Sequence, residues 1–165
     1  MPKLFTIGFT QKSAAQFFEL LQKAGVKKVI DTRLNNTSQL SGFAKQADLQ
    51  YFLATIAHID YEHDLSLAPT SDILTAYKQK KMSWEDYEGQ YLDLVQNRKI
   101  EAELNPEQLE TACFLCSEHQ PHFCHRRLAA EYLKSQFGDL DIIHLVWGLK
   151  PSLRPNLWLF ISSEG

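Results

Sequence analysis

Hydrophobic and polar positions along the chain alternate between two periods, short apolar runs that read as strands and longer stretches with helical spacing. Residues 4–8 (LFTIG) form an apolar, β-branched run closed by glycine, which predicts a short buried strand. Ala14, Phe17, Phe18, Leu20, Leu21 and Ala24 then recur at helical spacing, with Thr10 or Ser13 as the cap and Gly25 as the stop. Residues 26–32 (VKKVIDT) give a second strand. Strand, helix and strand with short joints predict a right-handed parallel crossover.

Residues 33–41 are polar and irregular, with Asn35, Asn36 and Ser38 read as turn residues. The pattern then predicts a helix over 48–58, a strand over 59–62, and helices over 71–80 and 83–97. The last of these carries Trp84, Tyr87, Tyr91, Leu92 and Val95 along one stripe, which core packing explains better than base stacking. A strand over 111–116 (TACFLC), a helix over 123–137 stopped by Gly138, and a strand over 141–146 complete the core. The C-terminal extension, 146–165, carries two prolines and an apolar WLFI run that adds an edge strand or covers a partner's surface. Strands alternating with helices predict a three-layer α/β domain, a largely parallel central sheet flanked by helices.

Such sheets bind ligands outside the carboxyl ends of their strands. Thr10 follows the first strand, Asp31 and Arg33 close the second, and Cys116 with Glu118 closes the strand before the segment SEHQPHFCHRR. A thiol at a strand-to-helix turn meets backbone N–H groups and a positive helix end, which favour thiolate and bind anions. His125, Arg126 and Arg127 add proton-transferring and cationic groups, and arginine's planar fork suits phosphate or carboxylate. Glu118 can orient a histidine, or act as a general base if partly desolvated.

Cys113 reads as inert core, because an odd separation along a strand sets it on the face opposite Cys116. Asp31 and Arg33 share a face; they either straddle the ligand-binding edge or form a structural ion pair. His58, His63 and His144 are isolated and read as structural or solvent-exposed. A metal site of Cys116, Cys124 and His125, with His119 or His122 as fourth ligand, is chemically feasible. Against it, the spacing matches no common zinc pattern, and adjacent ligands on one helical turn diverge by about 100°. The expectation is therefore no metal and no cofactor.

Length and composition narrow the class. At 165 residues, 44% hydrophobic and 22% charged, the chain fits one ordinary globular domain that needs no disulfide. A net charge of −3 gives no basic excess, so charge does not indicate nucleic acid as a partner, although it leaves room for a local basic patch. No apolar run is long enough to span a membrane, and the N-terminus has no signal-peptide pattern. Three cysteines close no disulfide framework, so a reducing cytoplasm is the expected location. The apolar tail leaves a homodimer open.

These residues also resemble the family called Domain of Unknown Function 488. The likeness rests on Thr6, Ile7, Gly8, Phe9 and Thr10 in the first strand, the Asp31-x-Arg33 strand end, and Phe43. Its strongest part is Leu115, Cys116 and Glu118 followed by Cys124, His125 and Arg126. The resemblance covers about residues 4–145. After Asp-x-Arg the family usually has proline and serine where this chain has Leu34 and Asn35, and Leu67-Ala68 stands where the family has Leu-Gly. A weaker likeness, in pattern alone, is to rhodanese-type and low-molecular-weight phosphatase-like domains, but SEHQPH has no glycine to build their anion cradle.

The expectation is an enzyme, a hydrolase or transferase with a reactive Cys116, acting on a small anionic or nucleotide-like substrate. Cys116, Glu118 and His125 would be catalytic, and Thr10, Asp31, Arg33, Cys124 and Arg126 would bind substrate. The alternatives are a nucleic-acid or protein-binding module without turnover, and a Cys/His metal-binding protein.

Overall fold

The computed structural model describes residues 1–37, 42–147 and 158–161. Its sheet contains β1 (Lys3–Gly8), β2 (Lys28–Asp31), β3 (Asp60–His63), β4 (Ala112–Cys116), β5 (Asp141–Trp147) and β6 (Trp158–Ile161). The order is β3-β2-β4-β1-β5-β6, and every neighbouring pair is parallel. The three-layer α/β architecture is therefore observed. The WLFI run is the edge strand β6, parallel to β5; the rest of the extension beyond residue 147, like Ser38, lies outside the described residues.

Right-handed crossovers sort the helices by the direction the chain travels across the sheet. From β1 to β2 to β3 it moves one way, through α1 (Ala14–Ala24) and α2 (Gln46–Phe52). It then turns back, through α3 (Ser71–Lys78), α4 (Trp84–Arg98), α5 (Ile100–Glu103) and α6 (Pro106–Leu109) into β4, and through α7 (His125–Phe137) into β5. Two apolar clusters follow, one on each face. Leu4, Ile30, Ala112 and Phe114 pack with Tyr91, Val95 and Leu133 of α4 and α7, while Phe5, Ile7, Val29, Cys113 and Leu115 pack with Phe17, Leu21 and Leu49 of α1 and α2. β4 is covered on both faces, which is why all five of its residues are buried and apolar.

Local chemistry sets the helix ends. Ser13 caps α1 in a capping box with Gln16, and Gly25 stops it at φ 75°, where a left-handed residue is needed. The helix expected over 48–58 begins at Gln46 and passes into a π-helical turn, Leu53–Ala57, ended by His58 at φ 54°. The one-turn helices α5 and α6 escaped the periodicity reading because four residues carry no period. The Asn105–Gln108 capping box and Pro106 at the start of α6 were legible signals. α7 begins at His125 rather than 123, with Cys124 as its N-cap.

Gly8 pairs with Cys116 across β1 and β4, and a Cβ there would lie 1.6 Å from the carbonyl oxygen of Glu118. Backbone against backbone cannot yield, so Gly8→Ala is expected to cost more than about 4 kcal/mol or to prevent folding. Urea denaturation followed by circular dichroism reads the effect; a wild-type midpoint would show that the loop has room to move.

Candidate active site

The loop between β4 and α7 folds back over the end of β1. Phe9 N donates to Cys116 O at 3.3 Å and Thr10 N to Ser117 O at 3.1 Å, and the Thr10 hydroxyl adds a 2.7 Å bond to the same Ser117 oxygen. Arg126 fixes the loop from behind. Its side chain is fully buried, with Nε donating to Thr6 Oγ1 (3.3 Å), Nη1 to Glu118 O (2.6 Å) and Nη2 to His119 O (3.3 Å). Thr10 and Arg126 thus hold the loop through its backbone.

That fold-back brings Cys116, Cys124 and His125 together, their ligand atoms all within 4.8 Å of one another. The divergence expected of adjacent helical residues does not arise. Cys124 has extended backbone (φ −140°, ψ 135°) and so stands outside the helix, with a side chain that makes no capping bond. His125 Nδ1 lies 3.7 Å from Cys116 Sγ, and Nε2 lies 2.8 Å from Thr32 O and 3.0 Å from Thr32 Oγ1. A carbonyl only accepts, so Nε2 carries a hydrogen, and Nδ1 is the nitrogen that faces the Cys116 sulfur.

The two thiols are unlike. Cys116 is held below the ordinary thiol range by the hydrogen bond from Cys124, which with the Arg126 charge and the Ser117 and Glu118 amides outweighs burial. Cys124 is pushed up by burial and then by Cys116, so it is the S–H donor of the pair. Burial, followed by the neighbouring Cys116 and Cys124 sulfurs, likewise raises Tyr87 and keeps its hydroxyl protonated. Cys113 sits in the opposite cluster, raised by burial.

A cleft of about 470 Å³ opens over this group, lined among others by Arg33, Tyr77, Tyr87, Glu118 and Phe123 together with Cys116, Cys124 and His125. Phe123 is 62% exposed at its edge and packs edge-on against Trp84. Glu118 is exposed at the wall of this cleft.

Asp31 and Arg33 form a buried ion pair, with Nε to Oδ1 at 2.9 Å and Nη2 to Oδ2 at 2.8 Å. Arg33 Nη2 also donates to Ala44 O, and the guanidinium lies over the Phe9 ring. Tyr61 OH (2.6 Å) and Asn36 Nδ2 (3.3 Å) complete Asp31 Oδ2. Burial alone would raise Asp31, but the bonds and charge of Arg33, then Tyr61, hold it below the usual carboxylate range. Arg33 Nη1 has no partner among the described residues.

Several participants were not singled out from the sequence. Thr32 orients His125 and was legible only as the middle of the Asp-x-Arg motif. Asn36, read as a turn residue, is buried against Asp31. Lys12 donates to His119 Nδ1 at 3.1 Å, and burial followed by the Arg126 charge lowers it to about 8. His144 is far from isolated: its Nδ1 and Thr6 Oγ1 share a hydrogen bond of 2.6 Å.

A parallel α/β sheet with a cysteine–histidine centre at the carboxyl end of its central strand defines the class. Within it, the chain belongs to the family described as Domain of unknown function DUF488, which matches residues 13–133. That stretch includes Asp31, Arg33 and the whole run from Cys116 to Arg126, while Thr10 precedes it. Comparisons with curated proteins and with solved structures found no match. Among the described residues no helix is long and apolar enough to cross a membrane.

Two outcomes are expected. Asp31→Asn removes the partner of a buried guanidinium and should destabilise by about 3–5 kcal/mol, read from chemical denaturation at pH 7. His144, lowered from 6.5 to about 3 by burial and then the Arg126 charge, gives a pH signature. Between those values the unfolded chain binds a proton that the native state refuses, so stability falls as pH drops from 6.5 toward 3. The slope from this one group approaches about 1.4 kcal/mol per pH unit. His144→Gln should remove that part of the acid loss; an unchanged slope would show that His144 is protonated in the native state.

Proposed function

We propose that the chain is a cysteine-dependent enzyme, a hydrolase or group transferase, with the cleft over Cys116 as its active site and a small anionic substrate. One observation carries this reading. Cys116 Sγ faces a histidine nitrogen at 3.7 Å, the opposite nitrogen of that ring is anchored on Thr32, and both residues line the cleft. Nucleophile, base and orienting group in that sequence are what covalent catalysis by a thiol requires.

In this scheme Cys116 attacks the electrophilic carbon or phosphorus. His125 Nδ1 takes any remaining thiol proton and returns it to the leaving group. Cys124 donates its S–H to the Cys116 sulfur and steadies it between turnovers. Glu118, exposed at the wall, handles the proton of the incoming water or acceptor. Asp31 holds Arg33 at the cleft wall, and the charge of Arg126 with the N-terminus of α7 makes the floor attractive to an anion. Tyr77 and Phe123 offer flat apolar walls, which suits a nucleotide-like substrate with a planar base.

Iodoacetamide at neutral pH should label Cys116 well before Cys113 and Cys124, as read by peptide mass mapping. Cys116→Ser should lose roughly 10³-fold or more of any turnover found on a panel of phosphate esters and nucleotides, with the fold unchanged by circular dichroism. A Cys116 no more reactive than the other two, with a Ser variant that retains turnover, would sink the proposal.

A further inference from the structure

We infer that Cys116, Cys124 and His125 also form a binding site for a thiophilic divalent cation of the zinc class, and that its occupancy turns the cysteine centre off. The inhibitory consequence rests on the reading of Cys116 as the reactive group; the site itself rests on geometry.

Two sulfurs and an imidazole nitrogen are a donor set that zinc-class ions take readily. With zinc–sulfur near 2.3 Å and zinc–nitrogen near 2.0–2.1 Å, a tetrahedral angle puts the two donors about 3.6 Å apart. Cys116 Sγ and His125 Nδ1 stand 3.7 Å apart, and no two of the three donors exceed 4.8 Å. The donors are therefore nearly at ligation spacing, and small side-chain rotations suffice for Cys124.

The surroundings agree. A metal-ligating histidine fixes its other ring nitrogen on a carbonyl or carboxylate, and His125 does so on Thr32 O at 2.8 Å. Cys124 makes no bond to the helix end it caps, so its sulfur is not tied to backbone. Neither His119 nor His122 joins the group; His119 Nδ1 is engaged with Lys12. With three protein donors, the fourth position falls to a water or an anion in the cleft.

Ligation forms two metal–sulfur bonds and one metal–nitrogen bond, and any proton still on either thiol leaves to solvent. The lone pair that Cys116 would use in attack is then held by the cation, and the His125 lone pair that would take its proton is held as well. The same three atoms cannot serve both purposes at once.

The full chain, stripped with a chelator, is titrated with Co²⁺ and then with Zn²⁺. One equivalent of Co²⁺ should give the sulfur-to-metal charge-transfer and visible bands of a tetrahedral site, and Zn²⁺ should displace it. Cys124→Ala and His125→Ala should each weaken Co²⁺ binding by more than roughly 100-fold, and Cys113→Ala should leave it unchanged. Zn²⁺ should also block iodoacetamide at Cys116, with reactivity restored by chelator. Absence of the Co²⁺ bands in the wild-type chain overturns the site, whatever the variants do. Selective labelling of Cys116 without those bands would leave the nucleophile reading standing. The bands with an unreactive metal-free Cys116 would uphold the site and defeat that reading.

Discussion

The guanidinium of Arg126 is the constraint on which the site depends. It is a buried cation in the first turn of α7, satisfied by the Thr6 hydroxyl and by two loop carbonyls rather than by a carboxylate. Placed at a helix N-terminus, its charge adds to the positive end of the macrodipole instead of opposing it. The neighbourhood answers in the expected sense on both sides. Bases are pushed toward neutrality, Lys12 to about 8 and His144 to about 3, each by burial first and Arg126 second. Cys116, at the end of β4, is drawn down by the Cys124 hydrogen bond and by the same charge. One fixed cation thus adds to burial in lowering both bases and to the Cys124 bond in lowering the thiol.

Topology decides where that cation acts. β4 is inserted between β2 and β1, and its own connection passes over the opposite face of the sheet from theirs. Adjacent strands whose connections part in this way leave a crevice at their carboxyl ends, and Cys116 is the last residue of β4. The crevice would still be blocked if the loop could not lie across β1. Gly8, with no side chain opposite Glu118, is what lets the loop settle low enough for Arg126 to reach its carbonyls.

Much of this was legible in the sequence, and the illegible part has a common cause. Periodicity located the main strands and helices because burial on one face repeats along an element, and the rule that ligands gather at strand ends picked out Asp31, Arg33, Cys116 and Glu118. The strand order was not readable. A short strand–helix–strand unit looks the same whether its strands are neighbours or, as with β1 and β2, leave space for a third. Side-chain direction was equally hidden. Arg126 invited the reading of an outward anion ligand, but its donors turn inward to carbonyls that only the folded loop supplies. The expected divergence of Cys124 and His125 assumed that both were helical, and a cap residue is not.

The three cysteines show why composition and burial alone could not have decided the chemistry. All three are buried, and burial by itself raises a thiol's pKa and makes it inert. Cys113 and Cys116 lie three residues apart on one strand and differ in what surrounds the sulfur. Cys113 faces the apolar side of α1 and α2 and remains raised. Cys116, at the strand end, gains a thiol donor, two amides and a nearby cation, and the balance reverses. Cys124 supplies that donor and is raised in consequence. The lowering of Cys116 is therefore a property of the loop's closure over β1. A substitution that loosens the loop without touching any cysteine should act on Cys116 first, because the burial penalty would persist while its compensations were lost.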